Sequence, residues 1–343
     1  MRPIQYIQLA SSALLITLLT ACQTTIPLDL GDNTPRIVIN AIATAQQGID
    51  ISLSQSKPTG VASPKVEVNY NYDHPDCPYR MTLQVNDQLV PISEVKQYKP
   101  QAGDRIAISV EKAGLKTASA TTTVPAQPTV GVIAVKKLDK THRAPYAYNM
   151  PGRIDMPDGR YVEVQDYELS IPLQGITKDS YYRIIVEKQA VDPEREFQES
   201  PYAWSQEKID DPRMTQFGNG DLIFESSRGR VMNLLAGSNV SASDCTLKTT
   251  LSFATRVCKA DGSTDDERTA KGISEYVALR VTVYAITGDL YHYWQTVTAK
   301  RYNGLGNTGI SEPNLIYNNI HDGLGILGSM ATSLRQDLKI ITR

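Results

Sequence analysis

The segment Ile49-Asp50-Ile51-Ser52-Leu53-Ser54 has an aliphatic side chain at every second position and a polar side chain between. Because side chains of a β-strand point alternately to opposite faces, this pattern predicts a strand with one buried face. Turn-forming clusters at residues 57–60 and 100–104 separate such segments. The same alternation recurs in residues 37–40, 66–68, 81–85 and 106–110. Short alternating strands with regular turns are typical of an antiparallel sandwich.

The strand pattern also suggests two domains. The first series of alternating segments ends at Thr121-Thr122-Thr123-Val124-Pro125, and the following Ala126-Gln127-Pro128 is typical of a linker. We therefore predict an immunoglobulin-like β-sandwich over residues 36–125 and a larger antiparallel β domain over residues 129–343. Alternating segments of the larger domain include residues 169–173, 182–186 and 276–286. The predicted fold class is all-β.

One helix is indicated in the larger domain, over about residues 288–302. Thr287 can cap its start, and Asn303-Gly304 is a typical helix end. Side chains at helical spacing form one stripe, which comprises Leu290, Tyr293, Trp294, Val297 and Arg301. We interpret this stripe as a surface that packs on the sheet, rather than as a cofactor site.

The N-terminus carries Arg2, an apolar run over residues 9–19, and then Leu19-Thr20-Ala21-Cys22. The run is typical of a secretory signal and too short for a stable membrane span. Its ending resembles a lipobox, at which bacterial lipoproteins are lipidated and then cut. We predict a signal peptide over residues 1–21, lipidation of Cys22 and a tether over residues 22–35. The alternative is an ordinary signal peptide with a chance cysteine.

Composition limits the class of function. The formal net charge is −2 at pH 7, and no basic stripe indicates binding of nucleic acid. Hydrophobic residues make up 41% of the chain, which favours a globular protein over a disordered one. Tyrosine outnumbers phenylalanine by 18 to 4, and its polar tip suits half-buried strand faces or ligand-contacting surfaces.

Three cysteines remain beside Cys22: Cys77, Cys245 and Cys258. An exported protein meets oxidising conditions, so one disulfide and one free thiol are plausible. Residues 245–258 alternate like a strand, whose ends would lie roughly 40 Å apart at about 3.3 Å per residue. A disulfide needs Cα atoms within about 7 Å, so that pair requires a fold-back for which the segment has no turn signal. Pairing of Cys77 with either partner stays open.

Two segments match the dinucleotide pattern G-x-G-x-x-G, at residues 304–309 and 323–328. This pattern binds pyrophosphate when it lies between a strand and a helix of a βαβ unit. Neither segment has that context. We interpret both as turns in which glycine permits positive φ or a close backbone approach.

Other patterns of catalysis or metal binding are absent from the sequence. The histidines His74, His142, His292 and His321 are dispersed, and no cysteine pair has zinc spacing. The acidic segment 261–267 lacks the full calcium-loop pattern and is interpreted as a solvated turn. We predict no cofactor, no metal and no catalytic residue. A hydrolase whose carboxylates meet only in the fold is the open enzymatic alternative.

Several segments together resemble a known family. The tether contains Ile26-Pro27-Leu28-Asp29-Leu30 and leads into Pro35-Arg36-Ile37-Val38-Ile39-Asn40. Tyr291-His292-Tyr293 precedes Ser311-Glu312-Pro313, and the tail has Tyr317-Asn318-Asn319-Ile320-His321-Asp322-Gly323-Leu324-Gly325-Ile326-Leu327-Gly328. Over nearly its whole mature length the chain resembles the bacterial outer-membrane lipoproteins grouped as domain of unknown function 4249.

The resemblance implies a function without a catalytic site. Such proteins are typically encoded near TonB-dependent transporters, which implies a non-catalytic accessory or binding role in nutrient uptake at the outer membrane. The expected partners are the membrane, through lipidated Cys22, a TonB-dependent transporter and an unidentified ligand. The alternative is a structural or adhesive cell-envelope lipoprotein. Acidic residues often follow the lipidated cysteine in surface-exposed members, whereas Gln23-Thr24-Thr25 follow here, so the leaflet stays open.

Overall fold

The computed structural model of the protein describes residues 34–56, 70–145, 161–191, 204–215, 231–259, 261–263, 276–302 and 315–341. Strands β1 to β7 are Ile37–Thr44, Gly48–Gln55, Tyr70–Asn71, Arg80–Val85, Gln88–Val90, Arg105–Glu111 and Ala118–Thr123. Strands β8 to β13 are Thr129–Val130, Ala134–Pro145, Tyr161–Gln174, Tyr181–Val191, Ser205–Glu207 and Asn233–Ala236. The remaining elements are β14 (Cys245–Cys258), β15 (Tyr276–Ile286), helix α1 (Gly288–Tyr302), β16 (Leu324–Thr332) and β17 (Gln336–Ile341).

These strands form three sheets. Sheet A has nine strands in the order β12-β11-β15-β16-β1-β2-β3, with β13 beside β11 and β17 beside β15. Sheet B has the order β5-β4-β6-β7, and sheet C has the order β14-β10-β8 with β9 also beside β10. The pairing of β1 with β16 is parallel, over seven residue pairs from Val38↔Leu324 to Thr44↔Met330. This ladder joins the first described strand to the C-terminal region within one sheet.

Sheets B and C pack side by side on the same face of sheet A. At one end, Ile39 of β1 and Leu327 of β16 share a buried core with side chains of sheet B. At the other end, Ala285 of β15 shares a buried core with side chains of sheet C. Ala285 pairs with Ala331, which points to the same face as Leu327 four residues earlier. The molecule therefore has two β-sandwiches that share one continuous sheet.

Helix α1 packs on the opposite face of sheet A. Leu290 is fully buried there, in a third core with Ile286 of β15 and Ile326 of β16. A Cβ atom added to Gly328 would lie 2.8 Å from the Cβ of Leu290, so the helix meets the backbone of β16 directly. The sheet thus has apolar contacts on both faces near β16.

The strand and helix predictions agree with this architecture. The all-β class, the helix over residues 288–302 and the strand over residues 276–286 are confirmed. Leu290 of the predicted stripe is buried, as is Tyr291 outside it. The immunoglobulin-like topology of residues 36–125 and the two domain limits stay predictions. The described residues of sheets A, B and C belong to a single compact unit.

The interpretation of residues 323–328 as a turn was wrong for most of the segment. Gly323 precedes the strand, whereas Gly325 and Gly328 lie within β16. The close backbone approach is confirmed, because a Cβ at Gly325 would lie 2.1 Å from the backbone oxygen of Ile39. A strand follows the motif where a nucleotide site would need a helix. The other glycine segment, residues 304–309, lies outside the described residues, as do Cys22 and most of the tether.

The three described cysteines are free, so the expected disulfide is not formed. Cys245 and Cys258 are the two ends of the continuous strand β14, which confirms the argument against their pairing. Cys258 is fully buried, whereas Cys77 and Cys245 are half-buried. Among the described residues, no helix is long and apolar enough to cross a membrane.

We expect all three thiols to react with maleimide in denaturant without any reductant. In the native protein Cys258 should be protected, because its side chain is inaccessible to the reagent. Mass spectrometry of a Cys22→Ser variant purified from the cell envelope counts the adducts. A loss of two adducts that reductant restores would contradict the free-thiol assignment.

The buried carboxylate of Asp211 is hydrogen-bonded to the backbone of β14, an edge strand of sheet C. Asp211 is 3% exposed and accepts hydrogen bonds from the side chain of Arg213 and from the backbone N–H of Lys248 (2.9 Å). Burial raises its pKa, but the hydrogen bonds from Arg213 and Lys248 outweigh burial and lower the pKa to about 2. The carboxylate form is therefore favoured by folding.

Asp211→Asn should lower the free energy of unfolding at pH 7 by about 2 kcal/mol. Because the folded pKa is depressed, this stabilisation is present above the unfolded value near 3.9 and is lost as the pH falls through about 2. Urea denaturation between pH 7 and pH 2 measures the difference from the wild type. Asp210→Asn, at an exposed neighbour, is the control and should change stability by less than about 0.5 kcal/mol. A difference that persists unchanged at pH 2 would refute the ionic origin.

Candidate functional site

The outer face of sheet B carries short polar side chains. In β4, β6 and β7 the inward positions, such as Leu83 and Ile108, are buried, so the alternate positions face outward. The outward side chains form the floor of an open cleft of about 480 Å³. They are Thr82, Gln84, Ala107, Ser109, Ser119 and Thr121. This floor offers hydroxyl and amide groups that both donate and accept hydrogen bonds.

The tail segment that precedes β16 forms the wall of the cleft. His321 lies beside the edge of β7, where its backbone N–H donates to the oxygen of Ser119 at 2.8 Å. The backbone N–H of Ser119 donates in return to the oxygen of His321 at 3.1 Å. The imidazole is 81% exposed, and its Nε2 lies 3.2 Å from a carboxylate oxygen of Asp322. The wall therefore presents a titratable side chain to solvent beside the polar floor.

Asp289 on the first turn of α1 holds this wall in place. Its Oδ1 accepts a hydrogen bond from the hydroxyl of Tyr317 at 2.5 Å, and its Oδ2 accepts one from the amide of Asn319 at 3.1 Å. The hydrogen bond to Asp289, together with burial, raises the pKa of Tyr317 to about 12. Tyr317 therefore stays a hydrogen-bond donor at neutral pH.

The side chain of Asn319 also makes hydrogen bonds to the backbone at the edge of β16. Its Oδ1 accepts from the backbone N–H of Leu327 at 2.9 Å, and its Nδ2 donates to the oxygen of Leu327 at 2.9 Å. The side chain thereby pairs the backbone of β16 in the way that another strand would. The segment between Tyr317 and β16 is fixed at both α1 and the sheet.

The chemistry of the cleft favours binding through hydrogen bonds. Among its described lining residues Asp289 provides the one carboxylate, and both oxygens of that group are already bonded within the protein. Glycoside hydrolysis needs two opposed carboxyl groups, which this lining does not bring together. Across the described ranges no group of three metal-binding side chains occurs.

Most of the candidate residues that we identified in the sequence lie on different elements of the structure. His74 lies in a turn, His142 on β9 and His292 on α1, so His321 is the histidine that lines the cleft. In the acidic segment, Asp261 accepts hydrogen bonds from the backbone and hydroxyl of Ser263, as expected of a solvated turn. The tail that supplies Asn319 and His321 was identified in the sequence as part of the family resemblance. Nothing in the sequence indicated that this tail lies beside sheet B.

Comparison with known protein families gives a match over most of the chain. The sequence model of a family described as Domain of unknown function (DUF4249) matches residues 23–336. Searches of curated proteins and of solved structures found no match.

Proposed function

Since the chain belongs to the DUF4249 family, we propose that it is an outer-membrane lipoprotein with a non-catalytic binding role in TonB-dependent nutrient uptake. The lipobox at Cys22 supports the anchor, and the family resemblance supports the link to transporters. The observation that carries the binding role is the cleft over sheet B, with its floor of hydroxyl and amide groups. Such groups recognise a polar ligand without changing it covalently.

The wall of the cleft suits this role because hydrogen bonds within the protein hold it in place. Asn319 is bonded to both Asp289 and the backbone of β16, so little conformational entropy is left to lose on binding. Asp289 lies on α1, and α1 packs on the sheet that both sandwiches share. The cleft is therefore supported by the main body of the fold.

Affinity purification from native membranes in mild detergent tests the proposal. A C-terminally tagged protein should recover a TonB-dependent transporter or a bound small molecule, identified by mass spectrometry. Gln84→Leu and Thr121→Val should reduce ligand recovery, because they remove hydrogen-bonding groups from the floor. Thr129→Val, on β8 of sheet C, is the matched control and should leave recovery unchanged. Recovery of neither transporter nor ligand would favour the structural or adhesive alternative.

The anchor is tested separately. Cys22→Ser should move the protein from the membrane fraction to the soluble fraction, because the acyl chains that hold it are lost. Cys77→Ser, which leaves the lipobox intact, should stay in the membrane fraction. Retention of the Cys22→Ser variant after a high-salt wash would contradict a lipid anchor.

A further inference from the structure

Strand β9 is strongly basic, although acids outnumber lysines and arginines by 37 to 35 in the whole chain. Its 12 residues include four basic side chains, Lys136, Lys137, Lys140 and Arg143, and one acid, Asp139. All five of these side chains are exposed. β9 pairs with β10 on one side, and no described strand lies on its other side. A positive surface therefore runs along one margin of sheet C.

Two of these lysines are not neutralised by the residues across the ladder. Glu168 lies opposite Lys136, but its carboxylate oxygen is 2.9 Å from Nζ of Lys248. Tyr167, which carries no charge at neutral pH, lies opposite Lys137. Both Lys136 and Lys137 therefore offer positive charge to a partner outside the chain.

The other two basic residues of β9 have contacts within the protein. Nζ of Lys140 lies 3.8 Å from a carboxylate oxygen of Asp166. The guanidinium carbon of Arg143 lies 4.4 Å from the ring centroid of Tyr161. The available charge is thus concentrated in the first half of β9.

Two exposed aliphatic side chains lie close to that half of the strand. Val132, two residues before β9, is 84% exposed, and Leu334, in the turn between β16 and β17, is 81% exposed. Gln336 joins the two segments. Its side chain accepts from the backbone N–H of Ile133 at 3.0 Å and donates to the backbone oxygen of Gly131 at 2.9 Å. Val132 lies between these two bonded residues, so one corner of the molecule presents both aliphatic side chains.

We name this region the basic corner and define it by Val132, Leu334, Lys136 and Lys137. Lysine is attracted to anionic lipid headgroups, and exposed aliphatic side chains gain free energy when they enter the boundary between headgroups and acyl chains. Free phosphate, or an acidic segment of a soluble protein, would satisfy the lysines but would leave the aliphatic pair in water. The combination therefore favours a membrane surface.

We propose that the basic corner contacts the surface of an anionic phospholipid membrane. The side chains of Val132 and Leu334 enter the headgroup region, and the ammonium groups of Lys136 and Lys137 bind lipid phosphates. Lys136 lies about 13 Å along the strand from Val132, so both reach the same patch of membrane. The contact adds to the proposed acyl anchor and determines which side of the protein faces the bilayer.

The predicted tether is long enough for this contact. Leu324 pairs with Val38 near the start of β1, and Leu334 follows ten residues later, at most about 33 Å away. Residues 22–35 would span at most about 50 Å when fully extended. An acyl anchor at Cys22 and the basic corner can therefore reach the same membrane.

Vesicle sedimentation tests the contact on the full mature chain with Cys22→Ser, which carries no acyl chains. The protein is mixed with vesicles of one-third phosphatidylglycerol and two-thirds phosphatidylethanolamine, or with neutral phosphatidylcholine vesicles. We expect binding at least tenfold tighter to the anionic vesicles, and its loss in about 1 M salt, where the Debye length is about 3 Å. The contact rests on the membrane location proposed above, but this test does not require lipidation, so failure of the anchor and failure of the basic corner are distinguishable.

Two double variants locate the contact. Lys136→Gln with Lys137→Gln should weaken binding to the anionic vesicles at least tenfold, because two charges that attract the headgroups are lost. Val132→Ser with Leu334→Ser should weaken it about tenfold, because no aliphatic side chain then enters the headgroup region. Since all four positions are exposed, both variants should melt at the temperature of the parent protein.

Matched controls change the same residue types elsewhere. Lys96→Gln with Lys99→Gln removes the same charge from two exposed positions. Leu89→Ser with Leu315→Ser removes two aliphatic side chains that are 66% and 87% exposed. Both controls should bind the anionic vesicles as the parent protein does.

Three results would overturn the proposal. The first is equal binding to anionic and neutral vesicles, and the second is equal weakening in a double variant and its control. The third is unchanged binding in Val132→Ser with Leu334→Ser, because the lysines alone would then account for binding and the surface would suit an acidic soluble partner.

Discussion

Gly325→Ala should lower the free energy of unfolding by about 4 kcal/mol or more, an exceptional cost for one methyl group. Gly325 lies in β16 opposite Ile39 of β1, and its φ is +110°, a value that side-chain-bearing residues rarely adopt. An added Cβ would lie 2.1 Å from the backbone oxygen of Ile39 and 2.9 Å from its carbonyl carbon. The obstacle is backbone of the paired strand, so it cannot move without breaking the parallel ladder.

Gly103→Ala is the matched control for this prediction. Gly103 also has positive φ, at +88°, but an added Cβ would meet no atom within 4 Å. The substitution therefore lowers the free energy of unfolding only through the unfavourable backbone conformation, by about 1–2 kcal/mol. Urea denaturation of both variants, followed by circular dichroism, separates conformational strain from collision. Equal costs at the two positions would show that β1 and β16 are not in such close contact.

Leu290→Ala should cost about 2–5 kcal/mol, because Leu290 is fully buried between α1 and the backbone of β16. The cavity cannot close easily, since Gly328 beneath it has no side chain to fill the space. Helix α1 also supplies Asp289 to the cleft, and it carries Trp294. We therefore expect the position of α1, and with it the cleft, to change together with stability.

Denaturation and tryptophan fluorescence of the Leu290→Ala variant measure the two effects. The control is Leu89→Ala on β5, where the side chain is 66% exposed and its loss should change stability by less than about 0.5 kcal/mol. A Leu290→Ala variant as stable as the control would mean that α1 does not depend on this contact.

Strands with one buried face were predictable from the sequence. In β2 the aliphatic side chains of Ile49, Ile51 and Leu53 are all buried in the core. The alternation of hydrophobic and polar residues therefore predicts both the strand and its buried face. In β16 the positions Gly325 and Gly328 carry no side chain, and the alternation that identifies a strand is lost. Glycine is required there because β1 and α1 lie very close to the backbone of β16. A single sequence does not show which segments lie close together in the fold.

The cleft over sheet B could be predicted only in part. The tail containing Asn319 and His321 is conspicuous in the sequence, and it forms the wall of the cleft. Thr82 and Ser119 are ordinary outward residues of strands, and their proximity depends on how β4, β6 and β7 are aligned.

The parallel ladder between β1 and β16 also has a consequence for the order of folding. β1 pairs on one side with β2, which follows it directly, but its partner on the other side, β16, lies far along the chain, with Val38 opposite Leu324. Contacts between such distant segments slow folding, since a large loop must close before they form. The N-terminal core includes Leu327, so it cannot be completed until that residue has left the ribosome or a translocation channel. The same pairing that unites the two sandwiches thus keeps the N-terminal sandwich incomplete until β16 has been delivered.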